Sequence, residues 1–189
     1  METARLLIRA FVPDDLRTVH RILDQTLGNG DKVEDEEALL ERQAWLGWSI
    51  LNQEWMPKIY EMPYGDVAVV LKATDTVIGI VGYVPILDQL EQILELAPPA
   101  GGSRFRVPEI GLFWAIDPAC QRQGYATEAA RAMVEHAFRD LHLKRILATT
   151  EYTNAASQAV MRKLGMLLTR NPLPEPPWLQ IVGVLQNSG

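Results

Sequence analysis

A single cysteine, Cys120, among 189 residues excludes an internal disulfide and any site in which several thiolates share a metal. No histidine neighbours it in sequence, so it reads as a small loop residue rather than an activated thiol. The three histidines, His20, His136 and His142, form no spaced pair, and no metal is expected. Cations are also scarce: 18 Lys and Arg stand against 24 Asp and Glu, a formal charge of −6, and no basic run interrupts the chain. A phosphate lattice attracts proteins through clustered cations, so nucleic acid is not an expected partner. No stretch approaches the roughly 20 apolar residues that cross a bilayer. The start, Met1-Glu2-Thr3-Ala4-Arg5, lacks the basic-then-apolar order of a secretory signal. The expectation is a cytoplasmic protein with no membrane partner. Neither a Gly-x4-Gly-Lys-Ser/Thr loop nor a Gly-x-Gly-x-x-Gly fingerprint occurs, which removes the main support for nucleotide hydrolysis and hydride transfer. No internal repeat is present, and the only biased segment is the proline run within residues 171–178.

What remains is ordinary globular material. Hydrophobic residues make up 48% and charged residues 22%, enough to bury a core, and the length suits one domain over residues 1–189. Residues 4–10 are short and β-compatible, and Pro13-Asp14-Asp15 opens a helix with acidic groups at its positive pole. Leu16, Val19, Leu23 and Leu27 continue it until Gly28. A second helix runs from about Glu34 to Glu54; its tryptophans Trp45, Trp48 and Trp55 read as core, with a pocket wall as the alternative. Strands over 66–73 and 77–85, joined by Thr74-Asp75-Thr76, form a hairpin. The second is apolar throughout, which places it centrally in a sheet. In 87–106 a short amphipathic helix gives way to Pro98-Pro99-Ala100-Gly101-Gly102, a long connection read as a possible wall of a substrate site.

From Val107 the order is strand 107–116, turn 121–126, helix 127–141, strand 145–150, helix from about 154 to 164 stopped by Gly165, and a last strand over 179–185. The prolines of 171–178 forbid a helix there. A hairpin beside a β-α-β-α unit predicts an α/β (α+β) fold, its sheet mixed in direction with helices on both faces. The turn Gln121-Arg122-Gln123-Gly124-Tyr125-Ala126 sits between strand and helix. Helix-start amides have no internal acceptor, so such a turn suits an anion such as pyrophosphate; Gly124 permits close approach and Ala126 close helix packing.

Two motifs sharpen this. Gln121, Gly124 and Ala126 fit Gln/Arg-x-x-Gly-x-Gly/Ala, and Asn154, Ser157, Lys163 and Gly165 follow in a second signature. Over about residues 107–166 the chain resembles the GNAT superfamily of acetyl-CoA-dependent N-acyltransferases, and looks closest to the branch that includes the RimJ and RimL ribosomal-protein acetyltransferases. The resemblance implies a GNAT-type fold with a mostly antiparallel sheet, acetyl-CoA as cosubstrate and no metal. It implies an amine acceptor, a protein N-terminus or a small molecule, and a monomer or homodimer.

By the same resemblance, the backbone amides of Arg122, Gln123, Gly124, Tyr125, Ala126 and Thr127, with Gln121 before them, hold the pyrophosphate. The backbone of Trp114, Ala115 and Ile116 pairs with the pantetheine arm, and Asn154, with Ser157 of its signature, meets that arm from the other side. Tyr125 and Thr127 otherwise serve turn packing and helix capping. An amine must lose a proton before it attacks a thioester; Glu109 is the candidate base, with an ion pair at a strand edge as its structural alternative, and Glu151 competes with it. A backbone N–H near Trp114 or Ala115 would stabilise the oxyanion. Relatives often supply a Tyr seven residues after the Asn to protonate the thiolate; here that position is Met161. Its loss leaves a non-catalytic acyl-CoA sensor as the alternative reading.

Overall fold

The computed structural model describes residues 1–28, 30–88, 90, 93 and 108–189. Among these lie seven strands, β1 (Leu6–Arg9), β2 (Gly65–Leu71), β3 (Thr76–Ile86), β4 (Glu109–Ile116), β5 (Arg145–Thr150), β6 (Leu167–Arg170) and β7 (Ile181–Gln186). Four α-helices accompany them: α1 (Leu16–Leu27), α2 (Glu36–Trp55), α3 (Tyr125–Arg139) and α4 (Ala155–Leu164). The strand order is β1-β2-β3-β4-β5-β7-β6. The β4–β5 pair is parallel, with Gly111 opposite Leu147, and the pairs β1–β2, β2–β3, β5–β7 and β6–β7 are antiparallel. The expected mixed, mostly antiparallel sheet is therefore present. The amphipathic helix expected in 87–106 and its proline-glycine connection lie almost wholly outside the described residues.

The chain divides into two compact units. The first comprises Met1–Val84 and Phe113–His136. Its core joins Val19, Ile22 and Leu23 of α1 and Leu46 of α2 to Ala68, Val70, Ile80 and Ala115 of the strands. Burying each of the Val, Leu and Ile side chains stabilises by about 1.5–3 kcal/mol. Side chains alternate along a strand, so Tyr83 points away from the face of Ile80; its hydroxyl donates to the Met133 carbonyl of α3. The first unit thus carries α1 and α2 on one face and α3 on the other. α2 starts where the Asp35 carboxylate accepts from the amides of Glu37 and Ala38. Trp45 tilts against Phe11 with centroids 5.7 Å apart, as expected of core. Trp48 and Trp55 are half exposed, contrary to the core reading, because they face away from the stripe that holds Leu46 and Ser49.

The second unit comprises Pro85–Leu112 and Ala137–Gly189, with Ile86, Leu147, Leu179 and Val182 in its core. α4 is capped by Asn154 at its start and by Gly165, with φ of 85°, at its end. A Cβ on Gly183 would lie 3.0 Å from the Met166 sulfur and 3.2 Å from that of Met161, so this glycine lets α4 sit close on β7. Two features escaped the sequence reading. β6 is a four-residue strand whose side chains are exposed or half-buried, so no apolar alternation marks it. Pro177–Leu179 form one 3-10 turn that begins in the segment expected to contain no helix and takes in Leu179, the expected start of the last strand, which begins instead at Ile181; Pro at its first position needs no N–H partner, and Leu179 is buried.

Candidate active site

The turn after β4 belongs wholly to the first unit. Among the described residues, the backbone N–H groups of Arg122, Gln123, Gly124, Tyr125, Ala126 and Thr127 have no acceptor in the chain. The first helical bond is Glu128 N–H to the Gly124 carbonyl, 3.0 Å. Six uncommitted donors at the positive end of a 15-residue helix have the chemistry to accept an anion. Gly124 has φ of 86° and Arg122 has φ of 62°. The left-handed region costs a non-glycine residue about 1–2 kcal/mol, so Arg122 holds strain that the surrounding turn must enforce. α3 begins at Tyr125, two residues before the expected start. Thr127 consequently lies in the first turn and is not the capping residue it was read to be.

What enforces the turn was not visible in the motifs. Glu128, an acid in the first turn of α3, would repel a phosphate if it faced the free amides. Instead its carboxylate accepts from the Thr3 hydroxyl at 2.6 Å, the Arg5 amide at 2.9 Å and Arg5 Nε at 2.7 Å. Burial raises its pKa and these hydrogen bonds more than offset that, so the net shift is downward and the carboxylate stays charged. Arg5 also donates to the Gln123 carbonyl at 3.0 Å and lies 4.4 Å from the centre of the Tyr125 ring. A Cβ on Gly124 would meet Arg5 Nη2 at 3.4 Å. The residue before β1 therefore clamps the turn and neutralises the acid beside it.

The strand end is tied as firmly. Gln121 Nε2 donates to the Ile116 carbonyl at 2.9 Å, so this side chain fastens the turn to β4 and leaves ligand contact to backbone. Asp117 N–H donates to the Ile78 carbonyl at 2.9 Å. The Asp117 carboxylate accepts from Ala119 N–H and pairs with Arg21 of α1 at 2.6 Å, a hydrogen bond that holds its carboxyl below the usual range. Gly79 of β3 has no room for a side chain: a Cβ there would lie 2.6 Å from the Ala115 carbonyl oxygen. Trp114 is half-buried, and Ala115 and Ile116 are buried. Burial, then Asp117, push the Cys120 thiol up, and a thiol held protonated is a poor nucleophile.

The remaining expected residues lie in the second unit. Glu109 is buried, 8% exposed, and both its oxygens are engaged by Arg145: Nε donates to one at 2.9 Å and Nη2 to the other. The Arg145 pKa is raised by that hydrogen bond. Glu151 is exposed, one residue past β5. The Asn154 side-chain oxygen accepts from Ser157 N–H at 3.0 Å, so the second signature caps α4 and leaves the Asn154 amide nitrogen free of that bond. Met161 is 0% exposed and is core. The Tyr152 hydroxyl donates to the Asn171 carbonyl, and Arg170 lies 3.6 Å from its ring centre, so it offers no ready proton to a leaving group. Arg5, Thr3, Glu128 and Arg145 were missed by the sequence reading. The signal for the first three was Glu128 itself, an acid placed where an anion is expected and therefore in need of a partner.

The turn of uncommitted amides between β4 and α3 thus follows a strand of a seven-stranded mixed sheet. The profile of the acetyltransferase (GNAT) domain matches residues 5–167; the chain belongs to the GNAT acetyltransferase family. It is 47% identical over 58 residues to the uncharacterized N-acetyltransferase YnaD of Bacillus subtilis, covering 31% of this chain and 33% of that one. It is 39% identical over 62 residues to the FsC-acetyl coenzyme A-N(2)-transacetylase of Aspergillus fumigatus, covering 33% and 26%. The chain thus spans about a third or less of the length of these two curated relatives. In fold it is similar to an acetyltransferase from Agrobacterium tumefaciens, with a TM-score of 0.68 at 20% identity over 98% of this chain and 93% of that one. It is also similar to RimL, a ribosomal L7/L12 alpha-N-protein acetyltransferase in complex with coenzyme A, with a TM-score of 0.62 at 15% identity over 96% and 93%. Among the described residues, no helix is long and apolar enough to cross a membrane.

Proposed function

We propose that this chain, acting as one acetyltransferase domain in the cytoplasm, moves the acetyl group of acetyl-CoA to a primary amine, either a protein N-terminus or a small molecule. The observation that carries the reading is the set of six unaccepted amides from Arg122 to Thr127. Their donors suit a diphosphate, and the Arg5–Glu128 clamp holds the turn that carries them. Preorganised donors need no rearrangement on binding, which is where such sites gain affinity. The backbone of Trp114, Ala115 and Ile116 is assigned to the pantetheine arm, and Asn154, through the amide nitrogen its cap leaves over, to the same arm.

The reacting amine must be neutral, and an ordinary alkylammonium is not at pH 7. Glu109 and Glu151 are the carboxylates assigned to take its proton. Glu109 must release a guanidinium hydrogen bond to do so, since Arg145 occupies both oxygens, whereas Glu151 has water access. This geometry favours Glu151 as base and gives Glu109 a positioning role. The nitrogen lone pair attacks the thioester carbonyl, a backbone N–H near Trp114 or Ala115 receives the oxyanion, and the carbon–sulfur bond breaks. With Met161 buried and Tyr152 engaged, the sulfur leaves as thiolate, tolerable for a thiol whose ordinary pKa is about 8.5. The RimJ/RimL branch supports a protein N-terminus as acceptor.

Thiol release from acetyl-CoA is measured with a panel of amines, and repeated with Glu109→Gln and Glu151→Gln. Turnover with at least one amine, slowed at least tenfold in Glu151→Gln, supports the reading. Tight acetyl-CoA binding with no turnover on any amine supports an acyl-CoA sensor instead, the reading that buried Met161 favours.

A further inference from the structure

α2 anchors itself inward through Leu46, which joins the core, and carries a second apolar strip on its outward side. There Leu40, Trp48, Leu51 and Trp55 are each more than half exposed, and Ala44 is exposed with them. Steps of four, four, three and four residues from Leu40 to Trp55 place all five on one helical face. A surface helix ordinarily turns polar residues outward. Single exposed apolar residues are common, whereas four large ones along one face form a patch of the kind that marks an interaction site. Gly47 lies in the middle of this strip. Glycine inside a helix costs about 0.5–1 kcal/mol relative to alanine. Packing within the chain does not call for it: among the described residues, a Cβ at Gly47 would meet no atom within 4 Å. The strip is thus bulky at both ends and notched at Ala44 and Gly47. Trp48 is held beside β2, where a Cβ on Gly65 would lie 3.4 Å from its ring.

Reversed upon itself, the strip is its own complement. In two antiparallel helices related by a twofold axis between Gly47 and Trp48, residues equally far from the axis come level. Gly47 then faces Trp48 of the second copy, Ala44 faces Leu51 and Leu40 faces Trp55, so the notch of each helix receives the bulk of the other. The charges agree with this direction. Glu37, in the acidic first turn, comes level with Lys58 in the turn that follows α2, and the two helix dipoles oppose. Glu41 comes level with Glu54, whose carboxylate Lys58 of its own chain already offsets at 2.7 Å. A parallel pair would instead set Trp48 on Trp48, leave Gly47 on Gly47, and bring Glu36 and Glu37 against their own copies. The four large side chains leave roughly 500 Å² open, at the upper end for the largest apolar patch of a monomer. With a polar rim, such a patch approaches the ~800 Å² that each partner gives to a standard interface.

We propose that the outward face of α2 is the contact surface of a symmetric homodimer, in which α2 packs antiparallel on α2 of a second copy and Trp48 of each chain seats over Gly47 of the other. The occupant is a second copy because the order of small and large residues, and of acid and base, matches its own reversal. The surface belongs to α2 alone, so the inference goes beyond the acetyl-transfer reading and does not depend on it.

The test is sedimentation equilibrium of the full chain over a range of about 1–200 µM, where an interface of this size should give a monomer–dimer equilibrium with a Kd of about 1–100 µM. Leu51→Glu, at an exposed position, should keep the native far-ultraviolet dichroism and raise the Kd at least tenfold. Gly47→Leu is the sharper variant. It has open space in the monomer and makes the strip more apolar, yet it fills the notch and should also raise the Kd at least tenfold. Direction is read by oxidation in a Cys120→Ser background. The double variant Ala44→Cys, Leu51→Cys should form disulfide-linked dimers, and neither single variant should. Within one chain these positions lie two helical turns, about 10 Å, apart, too far for a bridge. The proposal is overturned if the chain is a monomer throughout the range or forms an open series of larger oligomers. It is equally overturned if Gly47→Leu associates as tightly as the parent, or if the single cysteine variants cross-link as well as the double.

Discussion

Replacing Asp66 by Asn should stabilise the protein at neutral pH and leave it unchanged in acid. In the unfolded chain this carboxyl ionises near its ordinary 3.8; in the folded chain burial, partly offset by Arg42, holds it up at about 6. Between those values the native state keeps a proton that the unfolded state has released. Stability therefore falls as pH rises from about 4 to about 6, and is flat for this group beyond. A gap of about two units, at about 1.4 kcal/mol each, makes the ionised Asp66 a burden of about 3 kcal/mol at pH 7 to 8. Asn has nearly the same shape and never ionises. The variant should match the parent within about 0.5 kcal/mol at pH 4 and exceed it by about 3 kcal/mol at pH 8, a rise in melting temperature of about 6–12 °C for a chain of this size. Urea unfolding at five pH values reads the difference directly, provided the slope against denaturant is unchanged. Glu128 and Asp117, whose pKa values are lowered, destabilise both proteins alike in acid and cancel in the comparison. An Asn variant that is less stable at pH 8, or a difference that does not shrink toward pH 4, would refute the argument that burial holds the Asp66 carboxyl up.

Arg5→Ala removes the clamp on the anion turn, and acetyl-CoA affinity should fall roughly fivefold to thirtyfold, the worth of about 1–2 kcal/mol of charged hydrogen bonding at a partly exposed site, with far-ultraviolet dichroism unchanged. Gly79→Ala places a Cβ 2.6 Å from the Ala115 carbonyl oxygen, so expression of folded protein should drop sharply, whereas Gly47→Ala, with open space around it, should be neutral or stabilising. Met161→Ala should destabilise by about 2–5 kcal/mol in urea, as a buried methionine in the core does, and should not act as a selective loss of turnover. Asp117 is held below its ordinary pKa chiefly by Arg21, so it stabilises the fold above about pH 4 and that contribution fades as pH falls further; Arg21→Gln should remove this acid sensitivity in pH-dependent melting.

The strands and helices were legible where periodicity is strong. The apolar run of β3 announced a central strand and Gly165 announced the end of α4, because each is a local consequence of side-chain type; Gly124 likewise announced a turn with a left-handed residue between β4 and α3. β6 was not legible, since four exposed or half-buried residues carry no alternation. Trp48 and Trp55 misled because helical spacing of aromatics says which face they share and not which face is buried. The candidate site was legible only as a backbone motif. Its supports, Arg5 on Glu128 and Arg145 on Glu109, join residues more than a hundred and more than thirty positions apart respectively, and no spacing rule reaches that far.

The central claim is that the amides from Arg122 to Thr127 hold a diphosphate. The direct measurement is a nitrogen-15 amide spectrum of the full chain titrated with coenzyme A and, separately, with acetyl-pantetheine, which has the arm but no diphosphate. The six amide resonances should shift strongly with coenzyme A and remain in place with acetyl-pantetheine. If they stay unmoved when coenzyme A is saturating, the turn does not grip the phosphates and the account fails.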